Sequence, residues 1–177
     1  MSLTPVAAAA LRAELLARAA ADQKARNALP PSPASEQVAA LEAIDRSNTA
    51  RLRQVLTVHG WPGYAMVGED GSNAAWLLVQ HATDDLREYA LLLLADAVHR
   101  NDASSRDLAY LTDRIRLRRG EPQLYGTQYW FSGERGLELY QVKDPERLDE
   151  RRAAAGLEPH AEYDAHMRAA YQRRGRA

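Results

Sequence analysis

His81 and Asp113 are the two side chains whose surroundings in the sequence point most directly to chemistry. His81 follows Ala74, Leu77 and Leu78 at the i, i+3, i+4, i+7 spacing of one helical face. Asp113 falls on a stripe with Ala109, Tyr110 and Leu117. An imidazole with a carboxylate that fixes its tautomer is the minimum apparatus for general acid–base catalysis, and this pair is the expected catalytic set. Other polar residues interrupt apolar helical stripes in the same way: Asp22, Gln23 and Arg26, Asp45 and Asn48, Gln80, Arg114, and the run Gln123, Tyr125, Thr127 and Gln128. Burying so many hydrogen-bonding groups is costly unless they satisfy one another or a ligand, so convergence in one pocket is expected. There Arg26 or Arg114 would hold a carboxylate or phosphate, and Gln80 and Gln128 would orient a polar group.

Each of these residues also has a plainer reading. A histidine on an apolar face is commonly a core residue held by one acceptor, Asp22 with Arg26 is an ordinary i, i+4 ion pair, and Asn48 can serve a neighbouring loop. No strong motif decides the matter: there is no G-x-S-x-G elbow, no H-E-x-x-H and no phosphate-binding glycine loop. His81 with Asp84 or Asp85, and Asp96 with His99, have helical spacing, but the paired Glu-x-x-His helices of di-iron bundles are missing, so neither a metal nor a cofactor is expected.

The elements that must position these groups are mostly helical. Thr4-Pro5 starts a helix to about Ala28, the Pro-rich segment 29–34 stops it, and a second helix runs from a Ser35 cap to about Val58, burying Val38, Leu41, Ile44, Leu52, Val55 and Leu56. The segment from His59 to Ser72, with Gly63, Gly68 and Gly71, reads as a flexible loop. Helices follow at about 73–82, at 84–101 (burying Leu86, Tyr89, Ala90, Leu93, Leu94 and Ala97), and from a Ser104 capping box to about Arg118. Tyr129-Trp130-Phe131 and Leu137 to Val142 around Ser132-Gly133 predict a small β-hairpin, and helices from Asp144-Pro145 and from about Ala161 complete a mainly α, single-domain helical bundle over residues 1–177, with 1–4 and 173–177 frayed.

Composition excludes several classes. The chain has 23 Lys and Arg against 24 Asp and Glu, a formal charge of −1, so no nucleic-acid footprint is expected; the basic run Arg173-Arg174-Gly175-Arg176 reads as a solvated end. With no cysteine, disulfides and thiolate chemistry are absent. No run approaches the ~20 apolar residues of a membrane span and no secretory leader is visible, so a soluble cytoplasmic protein is expected, its oligomeric state open.

Several spaced motifs then gather into one resemblance. His59-Gly60-Trp61-Pro62, Gln80-His81-Ala82, Leu111-Thr112-Asp113-Arg114, Gln123-Leu124-Tyr125-Gly126-Thr127-Gln128 and Arg151-Arg152 through Gly156-Leu157, with Asp22, Gln23 and Arg26 and with Asp45 and Asn48, resemble an uncharacterised bacterial family, domain of unknown function 6624, over about residues 12–168. The resemblance implies that these side chains matter, adds Trp61 to the candidate binding residues, and supplies no reaction. Two functions are therefore expected. The first is an enzyme acting on a small polar ligand, hydrolytic or lyase-like, through His81 and Asp113. The alternative is a binding module using the glycine-rich loop and the aromatic hairpin.

Overall fold

The computed structural model describes residues 3–30, 32–132 and 136–174. Of the termini expected to fray, residues 1–2 and 175–177 lie outside the described residues, as do Pro31 in the Pro-rich loop, residues 133–135 of the hairpin turn and the side chains of residues 173 and 174; Thr4 is ordered as a helix cap and residues 173 and 174 are helical. The protein is mainly α, with a two-stranded antiparallel sheet in its C-terminal half. It divides into two compact units, Met1–Ser104 and Ser105–Ala177.

The first unit is four helices. α1 (Pro5–Asn27) opens as expected: Thr4 is extended, its hydroxyl accepts the Ala7 N–H at 3.3 Å, and Pro5 occupies the first helical position. α2 (Ser35–His59) begins one residue earlier than its expected cap. Ala34 is the N-cap and the Gln37 side chain accepts its N–H at 2.9 Å, so Ser35 is already helical. Gly60, with φ 72°, ends α2 in a conformation that favours glycine. Two residues expected in the core, Val38 on α2 and Tyr89 further along the chain, are each 39 % exposed, because neither helix turns that side inward at those points.

The expected loop through residues 60–72 is largely helix. α3 (Tyr64–Val79) starts at Tyr64 because a distant residue caps it: the Asp102 carbonyl accepts the Tyr64 N–H at 2.9 Å and its carboxylate the Ala65 N–H at 2.7 Å. Asp102 comes so close that a Cβ on Gly63 would lie 2.1 Å from its carboxylate oxygen. Gly68, at φ 73° and ψ 170°, breaks the helical path once, and the chain resumes it. Gly71 lets α3 pack against α1, since a Cβ there would lie 3.2 Å from the Arg12 side chain. α3 then ends at Val79, earlier than the pattern implies, so Gln80 and His81 sit in the turn before α4 (Asp84–His99) and not on a helical stripe. Leu15, Leu52, Leu56, Leu78, Leu86 and Leu94 are among the fully buried side chains of this unit. Each such burial contributes ~1.5–3 kcal/mol to holding the helices together.

The second unit begins with α5 (Ser105–Arg118), which buries Ala109, Leu111, Asp113 and Ile115. β1 (Tyr129–Phe131) pairs with β2 (Leu137–Leu139) in the register Tyr129 to Leu139, Trp130 to Glu138 and Phe131 to Leu137. Asp144-Pro145 restarts helical structure as a 3-10 turn leading into α6 (Leu148–Ala154), and α7 (His160–Arg174) follows. Tyr110 and Tyr125 pack on a small core of Ala109, Ala155 and Leu157. Among the described residues, no helix is long and apolar enough to cross a membrane.

Candidate functional site

The α1 stripe that buries Leu11 and Leu15 arrives, two turns later, at Asp22, whose side chain is fully buried. A charge in that position must be paired. Arg26, one turn on, donates Nε–H to one oxygen at 3.0 Å and Nη2–H to the other at 3.1 Å, and the Gln23 amide donates at 3.0 Å. The same guanidinium reaches across to Asp45 on α2, so one cation serves two carboxylates. That imbalance is felt at Asp45. Burial pushes its carboxyl up, Arg26 opposes the shift, and the charge of Asp22 adds to it, leaving the group above the ordinary carboxylate range.

His81 closes this arrangement from the turn before α4. Its Nε2 lies 3.9 Å from Asp22 Oδ2, within ion-pair range though longer than a hydrogen bond. The imidazole is partly exposed and forms the wall of a cavity of about 420 Å³, together with Asp45, Glu42, Arg46, Thr49, Arg53 and Thr83. Five of these were not among the sequence candidates: Thr83 in the turn, and Glu42, Arg46, Thr49 and Arg53 on α2. The signal of those on α2 was available, since positions 42, 46, 49 and 53 repeat on one face of α2 beside Asp45. Arg46 pairs with Glu42 at 3.6 Å, and Arg53 with Asp85 at 2.6 Å. Asn48 is buried on another side of α2, where its carbonyl oxygen accepts from Arg18 at 3.3 Å. Trp61 is also buried, its indole N–H donating to the Ser72 hydroxyl at 3.1 Å. Gln80 is buried before His81, and its backbone carbonyl accepts from Arg87 at 3.1 Å.

The remaining candidates gather in the second unit around Asp113. This carboxylate, also fully buried, accepts the backbone N–H groups of Leu124 at 2.6 Å, Tyr125 at 3.0 Å and Thr127 at 3.0 Å, and the Thr127 hydroxyl at 2.9 Å. Burial raises its pKa, and those donors pull against the shift. Its expected task was to orient His81. Here its two oxygens are given to the 124–127 segment, and the carboxylate found beside His81 is Asp22. Arg114, the next residue on α5, is half-buried.

Gln123 likewise serves the backbone. Its amide nitrogen donates to the carbonyls of Gln128 at 3.1 Å and Tyr140 at 2.9 Å, and its oxygen accepts the Gln128 N–H at 2.9 Å. Gln128 in turn donates its side-chain amide to the Thr127 hydroxyl at 3.1 Å. Arg152, fully buried on α6, donates to the carbonyls of Tyr125 at 2.6 Å and Glu158 at 2.7 Å and lies 5.0 Å from the Tyr163 ring centre. Arg151 reaches the Leu124 carbonyl at 2.7 Å. The Asp113, Gln123–Gln128 and Arg151–Arg152 motifs thus interlock. What they build is a rigid irregular segment.

Among the described residues, no three His, Asp or Glu side chains come together as a set that would hold a metal ion. The sequence profile of a family described as a family of unknown function (DUF6624) matches residues 9–175. No curated protein and no solved structure matches the chain.

Proposed function

Because the chain belongs to the DUF6624 family of unknown function, its family lends no reaction, and we propose from the site in the first unit that it is an enzyme acting on a small polar molecule by acid–base chemistry, hydrolytic or lyase-like. One observation carries this reading: a partly exposed imidazole on a cavity wall with a fully buried carboxylate 3.9 Å behind it. In this reading His81 moves the proton. The Asp22 charge, held by Arg26 and Gln23, favours the imidazolium that forms when His81 accepts one. Asp45, raised above its ordinary range on the same wall, is the second acid. Arg46, Arg53 and Thr49 supply donors for a polar or anionic substrate group.

The test is a thermal-shift screen of a metabolite library against wild type, His81→Gln and Asp22→Asn, followed by NMR observation of turnover for each hit. A compound that raises the melting temperature of wild type but not of the folded variants, and that wild type alone converts, is the expected result. Hits that stabilise all three proteins equally, or that bind without conversion, would sink the enzymatic reading.

The non-catalytic alternative keeps one observation in its favour, since Phe131 is 55 % exposed and Trp130 38 % exposed on the hairpin. Large exposed aromatics are characteristic of contact surfaces. Its other half rested on a glycine-rich loop, a segment whose residues 64–79 are helical apart from Gly68.

A further inference from the structure

A cavity of about 760 Å³ belongs entirely to the second unit and contains none of the candidate site residues read from the sequence. Its walls are mostly apolar, from Leu139, Tyr140, Val142, Pro145 and Leu148, and its polar end is formed by Asp149, His160, Asp164 and Arg168. Just behind that end stands Tyr129, whose hydroxyl lies 3.1 Å from His160 Nε2 and 3.1 Å from Asp164 Oδ1.

These distances fix where the protons are. Arg168 donates Nε–H to the second oxygen of Asp164 at 2.7 Å and holds that carboxyl below its ordinary range, so Asp164 is an acceptor at neutral pH. The single phenolic proton of Tyr129 must then go to Asp164. Tyr129 therefore accepts from His160, which requires the Nε2–H tautomer and leaves Nδ1 with a lone pair. Burial and the nearby Arg152 cation lower the His160 pKa and keep the ring neutral. The Cδ2–Nε2 edge of the ring is turned towards Gly126, where a Cβ would lie 2.9 Å from Cδ2; Nδ1 is on the other edge. Asp149 adds a second acceptor, spending one oxygen on the His160 backbone N–H at 2.7 Å.

We propose that this cavity binds a small organic ammonium with an apolar body, its N–H groups directed to His160 Nδ1 and Asp149 and its chain lying against Leu139, Val142 and Leu148. The polar end offers acceptors: its two carboxylates face one guanidinium, Arg168, which is itself occupied by Asp164 and by the Leu137 carbonyl at 3.0 Å, while Arg152 nearby donates to the carbonyls of Tyr125 and Glu158. A carboxylate of the same shape would meet lone pairs and negative charge.

The experiment is an imidazole ¹⁵N NMR titration of the full chain at pH 7.5 with 3-methylbutylamine, 3-methylbutan-1-ol and 3-methylbutanoate as probes. Before any addition, His160 should show an unprotonated Nδ1 and a protonated Nε2. The amine should shift the His160 signals saturably, the alcohol should bind about tenfold more weakly, and the carboxylate should leave them unmoved. His160→Gln, followed through the Tyr140 and Leu139 amides, and Asp149→Asn should each weaken the amine by about tenfold or more while the fold is retained. Protonation at Nδ1, equal response to all three probes, or preference for the carboxylate would overturn the proposal.

Discussion

Asp22 and Asp113 are the same residue type with the same exposure, none, yet the molecule uses them in opposite ways. Asp22 is held by side chains, Arg26 and Gln23, and stands behind a histidine on a cavity wall. Asp113 is held by three backbone N–H groups and a hydroxyl from a segment of four residues. Donors on side chains can be rearranged at small cost, whereas a backbone segment wrapped around an acceptor loses its conformation with it. What donates to a buried acid thus separates these two environments, and burial alone does not distinguish them.

The largest effect that sharpens this contrast is expected at the scaffold. Asp113→Ala strands three N–H groups at ~1–3 kcal/mol each, so a loss of about 3–5 kcal/mol in urea unfolding is expected, with the amide protons of 124, 125 and 127 losing their protection against exchange. Asp22→Asn should cost less, about 1–2 kcal/mol, because the new amide oxygen still accepts from Arg26, which also keeps Asp45. A melt in which Asp22→Asn falls as far as Asp113→Ala would break the comparison.

A smaller effect separates a carboxylate held by side chains, Glu14, from Asp113 by the sign of their pH dependence. Glu14 is also held by side chains: Arg51 grips both of its oxygens at 2.8 Å, Arg18 adds a third contact, and its pKa drops from 4.5 to about 2. A depressed carboxyl contributes stability that is present above pH 4.5 and lost as pH falls towards about 2, and the difference in unfolding free energy between wild type and Glu14→Gln should shrink across that window. Asp113 has a raised pKa, so its folded form holds the proton longer and its contribution declines as pH rises above the ordinary 3.8. Stability curves for the two sites with the same sign of slope would contradict the assignment.

The sequence was readable where the cause of a structure is local. The Thr4-Pro5 start of α1, the Gly60 stop of α2 and the hairpin around Trp130 follow from propensity and capping within a few residues. It was not readable where the cause is distant. Nothing near Tyr64 announces that Asp102 will cap α3 and turn an apparent loop into helix. The pairing of polar residues failed for the same reason. Periodicity places Asp22 and Asp113 on inward faces, but it also puts His81 on a helix, whereas α3 ends at Val79 and His81 stands in the turn that follows, beside Asp22. His160, Asp164 and Arg168 drew no notice because the exposed side of an amphipathic helix offers polar residues in plenty; only the fold shows that three of them share a cavity wall with Leu139 and Val142.

Strands of three residues are too short to hold their own alignment, and a slip by one would turn Trp130 and Phe131 to the opposite face. The Gln123 amide prevents it from outside the sheet, spanning Gln128 just before β1 and Tyr140 just after β2. It works as a gauge block: the ladder between those two points can be assembled at only one length. The strand side chains themselves are thereby released from the duty of specifying register. A hairpin built this way can change the residues it shows to the solvent, such as Trp130 and Phe131, without changing which way they point.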